Sequence, residues 1–393
     1  MKMRVAVFFG SKACEHEISC ISANQVLHAL DQDKYEVIPV YIAKNKDFYI
    51  GEALFDLSNY YDLDALCTKL TKVSLCKDGH KTYLRPIKEG LFKSEHTDID
   101  VAFLVNHGTN GEDGTLQGMM EMMDIPYTSS GVLGAAIGQD KVIMKEVLSH
   151  EGLPLVPWTY FRALDLKEDK DGLISKLKDF GLPLILKPAN LGSSIGIEVV
   201  HEEAELEAKI KEVLRYDDKI LVEKYMSDFK EVNCAIIGDG ESFRTSVLEE
   251  VLKDDEILSF DGKYVGNAKG VKSKLPTKGA KGGMANTSRL VPAPLSDEMT
   301  EEIKALALKA YRALDAFGCA RIDFMVIEDE IYLTELNTIP GSLAFYLWKE
   351  VDIDFTKECD ILIENAIKRY RHKEKMSFSF DTNILSTFKG GRS

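Results

Sequence analysis

The sequence predicts a chain of two textures: an α/β part built on a parallel sheet, then an α+β part built from paired strands. Three observations predict it. From Arg4 to Glu151 short apolar strands alternate with helical stretches. Beyond Pro157 the strands come in pairs. And the segment Ala320 to Asn337, ARIDFMVIEDEIYLTELN, reads as two alternating strands joined by an acidic turn at Glu328, Asp329 and Glu330.

Taken in order, Arg4 to Phe9 is an apolar strand broken by Gly10-Ser11, and a helix follows from about Glu17 to Leu30. Tyr35 to Ile42 and Asp100 to Val105 are further strands; Gly114 to Met123 is helical, as is Gly131 to Glu151. Past Pro157 the expected pairs are Leu184–Pro188 with Ile195–Val200, and Lys219–Lys224 with Glu231–Ile237. The third pair is the hairpin. With its turn centred on Asp329, Asp323 faces Glu335 and Arg321 faces Asn337, all four on one side, while Ile322, Phe324, Tyr332 and Leu336 cover the other. Two opposed carboxylates repel unless a cation lies between them, and a hard divalent ion such as Mg²⁺ fits carboxylate and amide oxygens.

Composition narrows the function. The chain has 393 residues, 45% of them hydrophobic, enough for two or three domains. Its net charge of −15 argues against a general nucleic-acid or anionic-membrane surface. Seven cysteines without a CxxC pair argue for a reducing cytosol and against a zinc or disulfide framework. The apolar run Val5 to Phe9 is too short for a signal peptide, and no run has the roughly 18 apolar residues of a membrane helix. A cytoplasmic protein is expected.

Several segments carry chemistry. KPANLGSSIG, Lys187 to Gly196, ends a strand in a lysine and turns through small residues; it is either a phosphate cradle or a plain hairpin turn. ILVEKYM, Ile220 to Met226, can present backbone to an adenine edge, with Glu231 within reach of ribose, or can be an exposed edge strand. NHGTNGEDG, Asn106 to Gly114, follows a strand of the parallel sheet, where ligands bind; His107 and Glu112 are its polar candidates. Glu15, in the first such loop, is either a helix N-terminal carboxylate or the counter-ion of an ammonium group. The segment Lys269 to Gly283, with five lysines, four glycines and a proline, should be a mobile loop.

These pieces occur in the order found in the D-alanine–D-alanine ligases of the ATP-grasp superfamily, which the chain resembles. GSKACEHEIS from Gly10, NHGTNGEDGTLQG from Asn106, GQDK ending at Lys141, KPANLGSSIG, VEKYM, ARIDF and ELNTIPG are similar to that family's signatures, from about Val5 to about Ile367. The resemblance implies an ATP-grasp fold with an N-terminal Rossmann-like domain at 1–135, a central subdomain at 136–225, a catalytic subdomain at 226–372 and a tail at 373–393. It implies that Lys141 and Lys187 bind ATP phosphates, with Ser194 and Lys263 beside them. Glu223, Lys224, Tyr225 and Met226 would line the adenine pocket, with Glu231 on the ribose. Asp323, Glu335 and Asn337 would hold two Mg²⁺ ions, with Mn²⁺ as a substitute. Glu15, oriented by Ser193 and Tyr264 and near His107 and Glu112, would take the ammonium of the first D-alanine. Arg321 and the backbone N–H of Gly341 would form the oxyanion site. The lysine- and glycine-rich loop would be a lid over a water-sensitive acyl phosphate. A homodimer is also implied.

Two regions depart from the family pattern. The lid opens with only SFDGKY, although Lys263 and Tyr264 remain. The segment after Gly341, SLAFYLW, is about four residues short, so the group gripping the second substrate's carboxylate has only Ser342 and Tyr346 as candidates. D-Alanyl-D-alanine is the expected product; D-serine, D-lactate or another amino acid as acceptor is the alternative, and a non-catalytic ATP-binding protein a remoter one.

Overall fold

A computed structural model describes residues 2–87, 96–252 and 289–379. Lys263, Tyr264, the Lys269 to Gly283 loop and the end of the tail lie outside the described residues.

The first sheet has seven strands, in the order Thr97–Ile99, Lys81–Pro86, Thr71–Asp78, Phe48–Ile50, Tyr35–Ile42, Met3–Gly10 and Val101–Leu104. Among the described strands the parallel pairings centre on Met3–Gly10, with Tyr35–Ile42 on one side and Val101–Leu104 on the other. The other pairings are antiparallel, so the sheet is mixed rather than the parallel one expected. Its parallel centre is nearly continuous in apolar residues (Val5 to Phe9, Val101 to Val105, all buried), the pattern of strands shielded from water on both faces. The helix His16–Ala29 starts beyond its carboxyl edge, where Gly10 ends the first strand.

The expected helix from Gly131 to Glu151 is two helices, Val132–Gln139 and Lys141–His150. Asp140 divides them. Its extended backbone ends one helix, and its carboxylate caps the next by accepting from the backbone of Val142 and Ile143.

A four-stranded antiparallel sheet follows, in the order Glu198–Val200, Leu184–Pro188, Lys219–Lys224 and Trp158–Arg162. A five-stranded one runs Arg289–Leu290, Phe243–Val251, Lys230–Gly238, Gly318–Ile327 and Glu330–Asn337. The expected pairing of Lys219–Lys224 with Glu231–Ile237 is therefore wrong: Lys219–Lys224 lies between Leu184–Pro188 and Trp158–Arg162, and Lys230–Gly238 between Phe243–Val251 and Gly318–Ile327 of the other sheet. The two small sheets have separate cores, one around Phe161, Leu186 and Ile220, the other around Ile236, Tyr311 and Phe324. A cleft lies between them. Among the described residues no helix is long and apolar enough to cross a membrane.

The hairpin carries both a success and a correction. Arg321 faces Asn337 and Asp323 faces Glu335, as expected. Nearer the turn, however, Phe324 faces Leu333 and Met325 faces Tyr332. The turn is tighter than one centred on Asp329, and a bulge at Thr334 restores the register at the carboxylates. Thr334 fixes the bulge by donating its hydroxyl to the Asp323 carbonyl at 2.8 Å. Leu333 and Ile331, not Tyr332, consequently complete the core face; Tyr332 shares the cleft face with Met325.

Candidate active site

The cleft between the two small sheets is lined by Lys141, Lys187, Ser194, Glu223, Lys224, Tyr225, Met226, Glu231, Asp323 and Glu335, together with Ile185, Phe229 and Met325. Residues read from five separate sequence segments thus share one cavity.

Its floor is charged. Glu223 is buried at the end of the strand Lys219–Lys224, with Lys187 Nζ 2.6 Å from one carboxylate oxygen and Lys145 Nζ 2.6 Å from the other. Burial opposes the Glu223 charge, but the two lysines outweigh it and hold the carboxyl at about 2. Sequence reasoning passed over Lys145. Its signal was the four-residue spacing from Lys141, which puts both on one side of the helix Lys141–His150. Lys141 donates to the Leu191 carbonyl at 2.6 Å and lies 3.8 Å from Glu335. Lys224 turns its ammonium to the Gly181 carbonyl at 2.7 Å, over the Phe180 ring. It lends the cavity its backbone and stem rather than its charge.

Arg321 and Asp323 form a buried two-point pair: Nε donates to Oδ1 and Nη2 to Oδ2, each at 2.6 Å. Asn337 donates to Asp323 at 3.0 Å. Desolvation raises the Asp323 carboxyl to about 6; Arg321 opposes this, and the nearby Glu335 and Glu231 charges add to it. A cation would reverse this rise. The donor set is two carboxylates and one amide oxygen, the hard oxygen chemistry Mg²⁺ takes when phosphates complete its shell. Among the described residues no cluster of three or more His, Cys, Asp or Glu side chains could cage a metal by itself.

A second polar centre lies where the first sheet meets the cleft. Glu15 is buried, and its Oε2 has no hydrogen-bond partner. Desolvation raises its pKa, while Lys141, Ser193 and the Gly192 backbone pull the other way. Two loops close on this carboxylate, and both approaches need glycine. A Cβ on Gly108 would stand 2.4 Å from Glu15 Oε2, and one on Gly192 2.8 Å from Oε1. The loop after Gly192 continues through Ser193 and Ser194 with φ of 55° and 58°, a left-handed turn. A buried acceptor without a partner, held beside small residues, suits a compact ammonium group.

His107 and Glu112 both engage the backbone of Ile339. The two His107 ring nitrogens lie 2.9 Å from the Ile339 carbonyl and 2.9 Å from the Ser22 hydroxyl. Burial pushes this imidazole down to about 4, so it is neutral, with Nδ1–H donating to Ile339. Ser22 in turn accepts the backbone N–H of Ser342 at 3.0 Å. Glu112 accepts the backbone N–H groups of Gly108 and Ile339, both at 2.9 Å. These side chains pin the backbone on both sides of Gly341, the expected oxyanion donor. Beyond it, Ser342, Leu343 and Ala344 all have positive φ, near 53° to 55°. Ser342 is buried, and Tyr346 donates to Glu249 at 2.9 Å, with Arg289 stacked on its ring.

The family described as D-ala D-ala ligase N-terminus matches residues 4–130, and D-ala D-ala ligase C-terminus matches 147–364. A D-alanine–D-alanine ligase of Thermosipho melanesiensis is 38% identical over 383 residues, with 98% of each chain covered. One from Natranaerobius thermophilus is 36% identical, covering 96% of this chain and 99% of its own. Among solved structures, the D-alanine-D-alanine ligase of Coxiella burnetii superposes with a TM-score of 0.78 at 26% identity, over 95% of this chain and 96% of that one. The VanG D-Ala:D-Ser ligase of Enterococcus faecalis does so at 0.75 and 26%, over 93% and 100%. The chain belongs to the D-alanine–D-alanine ligase family and has its ATP-grasp fold.

Proposed function

We propose that this protein joins two D-alanine molecules into D-alanyl-D-alanine at the expense of ATP, for peptidoglycan precursors. The observation that carries the reading is one cavity walled by the Lys141–Lys187–Glu223 group and by the Asp323–Glu335 pair, with Glu15, whose Oε2 has no partner, packed against Gly192 of the cavity wall.

In this reading the adenine lies against Tyr225 and Met226, Glu231 takes ribose hydroxyls, and Lys141 and Lys187 face the phosphates with Ser194. Asp323, Glu335 and Asn337 would hold Mg²⁺, which when bound neutralises charge spread over the phosphate oxygens. Glu15 binds the ammonium of the first D-alanine and so directs its carboxylate at the γ-phosphorus. ADP leaves, and an acyl phosphate remains, shielded from water. The amine of the second D-alanine attacks that carbonyl. Arg321 and the Gly341 N–H stabilise the tetrahedral oxyanion, inorganic phosphate departs, and the amine proton is lost. One such donor contributes about 3–4 kcal/mol to the barrier. We assign residues 1–135 to the first substrate, 136–225 and 226–372 to the two halves of the nucleotide clamp, and propose a cytoplasmic homodimer.

A second reading keeps the mechanism and changes the acceptor to D-serine, D-lactate or another amino acid. The left-handed turn at Ser342 to Ala344 and the Tyr346–Glu249–Arg289 group favour it, because they belong to or touch the shortened segment after Gly341, and Tyr346 and Glu249 lie close enough to Arg321 to act on its charge.

Phosphate release from Mg-ATP tests both. Release with D-alanine alone, with the dipeptide seen by mass spectrometry, supports the first reading. Release only with another acceptor supports the second. No release with any pair would leave a non-catalytic nucleotide-binding protein and refute both.

A further inference from the structure

Lys145 is fully buried and does not line the cavity. Lys187 is different: it lines the cavity and keeps part of its side chain exposed. Both touch Glu223, one on each oxygen, at 2.6 Å. The buried carboxylate therefore has two cations where one would neutralise it. The Lys145 contact is close without being an aligned hydrogen bond, so it acts through charge more than direction. A carboxylate buried this deeply is strongly destabilised if its last counter-ion leaves. With Lys145 in place, Lys187 is not the last.

We propose that Lys145 is a positioning residue for nucleotide binding, the permanent counter-ion of Glu223 that allows Lys187 to release this carboxylate and turn to the polyphosphate. The inference rests on reading the cavity as an ATP site. Lys187 then has two positions: on Glu223 in the empty protein, and on the phosphates in the complex. Lys145 sets the balance between them. Without Lys145 the Lys187–Glu223 pair tightens, and phosphate has to compete with it. The base, which meets Glu223 but not Lys187, and the ribose should sense the change much less than the phosphates do.

The test measures ATP and adenosine binding by calorimetry or competition in the full chain, for wild type, K145M, K145R, E223Q and K145M/E223Q. K145M should weaken ATP about tenfold or more, as expected when Glu223 keeps only one counter-ion, and adenosine less than about threefold. K145R keeps the charge and should stay within about threefold of wild type for both. In the E223Q background there is no buried carboxylate to neutralise, so adding K145M should change ATP affinity less than about twofold. That comparison holds even if K145M alone does not fold. Equal loss of ATP and adenosine in K145M would make Lys145 merely structural and overturn the proposal. So would unchanged ATP binding in K145M, or a further loss of more than fivefold on adding K145M to E223Q. Wild-type protein that binds no ATP would instead sink the reading of the cavity itself.

Discussion

The Glu112 carboxylate accepts the backbone N–H of Ile339 at 2.9 Å, joining the loop after the strand Val101–Leu104 to the turn that follows the hairpin strand Glu330–Asn337. With its other oxygen it holds Gly108. One side chain thus couples the loop against Glu15 to the turn that carries Gly341.

Burial pushes Glu112 up to about 7, with the Glu15 and Glu335 charges adding to the rise and its two backbone donors opposing it. The folded pKa lies above the ordinary value, so the Glu112 contribution to stability is full below about pH 4.5 and is lost as pH rises through about 7. In urea unfolding, wild type minus E112Q stability should fall between pH 5 and pH 8. A difference that is flat or rises with pH would contradict the assignment.

For Glu15, the E15Q variant keeps the shape and removes the charge. The Michaelis constant for D-alanine should rise about 10- to 100-fold, the scale of one charge-assisted hydrogen bond. ATP affinity, measured separately, should change little. Equal losses for both ligands would place Glu15 elsewhere in the mechanism.

Gly108 has φ of 65° and faces the same carboxylate. Alanine there meets Glu15 Oε2 and adopts a left-handed backbone at a cost of about 1–2 kcal/mol. G108A should lower the melting temperature and weaken D-alanine, and the double variant with E15Q should show less than additive losses. Full additivity would mean the two positions do not meet.

Arg321 to lysine preserves one positive charge but loses the two-point grip on Asp323 and the donor geometry toward an oxyanion. The turnover number should fall about 10²–10³-fold. If phosphate release with the first substrate falls as much as dipeptide formation, Arg321 serves phosphoryl transfer rather than the tetrahedral step.

His107 to alanine removes the link between Ile339 and Ser22. Turnover should drop about tenfold or more while ATP affinity holds, since a loosened turn misplaces the Gly341 N–H. Unchanged turnover would show that Glu112 alone holds this turn.

Much of the site was legible because its signals are local. Arg321, Asp323, Glu335 and Asn337 belong to one hairpin, and the alternation of side chains puts them together whatever else the chain does. The glycines and serines of KPANLGSSIG mark a turn for the same reason. Tyr332 was misplaced because a bulge costs a single residue of register and leaves the outer pattern intact. The Lys219–Lys224 strand was mispaired because its apolar pattern states that it is buried, not against which neighbour.

By itself the sequence determined the order of the elements, the carboxylate hairpin and the set of charged residues available to the site. These follow from backbone sterics and side-chain periodicity over a few residues. Tertiary structure decided how each charge is used. Lys145 became a buried partner of Glu223, and His107 and Glu112 became clamps on Ile339, through contacts between distant segments. The physical reason is desolvation: whether a charged or polar group faces a ligand, a counter-ion or a backbone amide depends on what excludes water from it, and packing alone sets that.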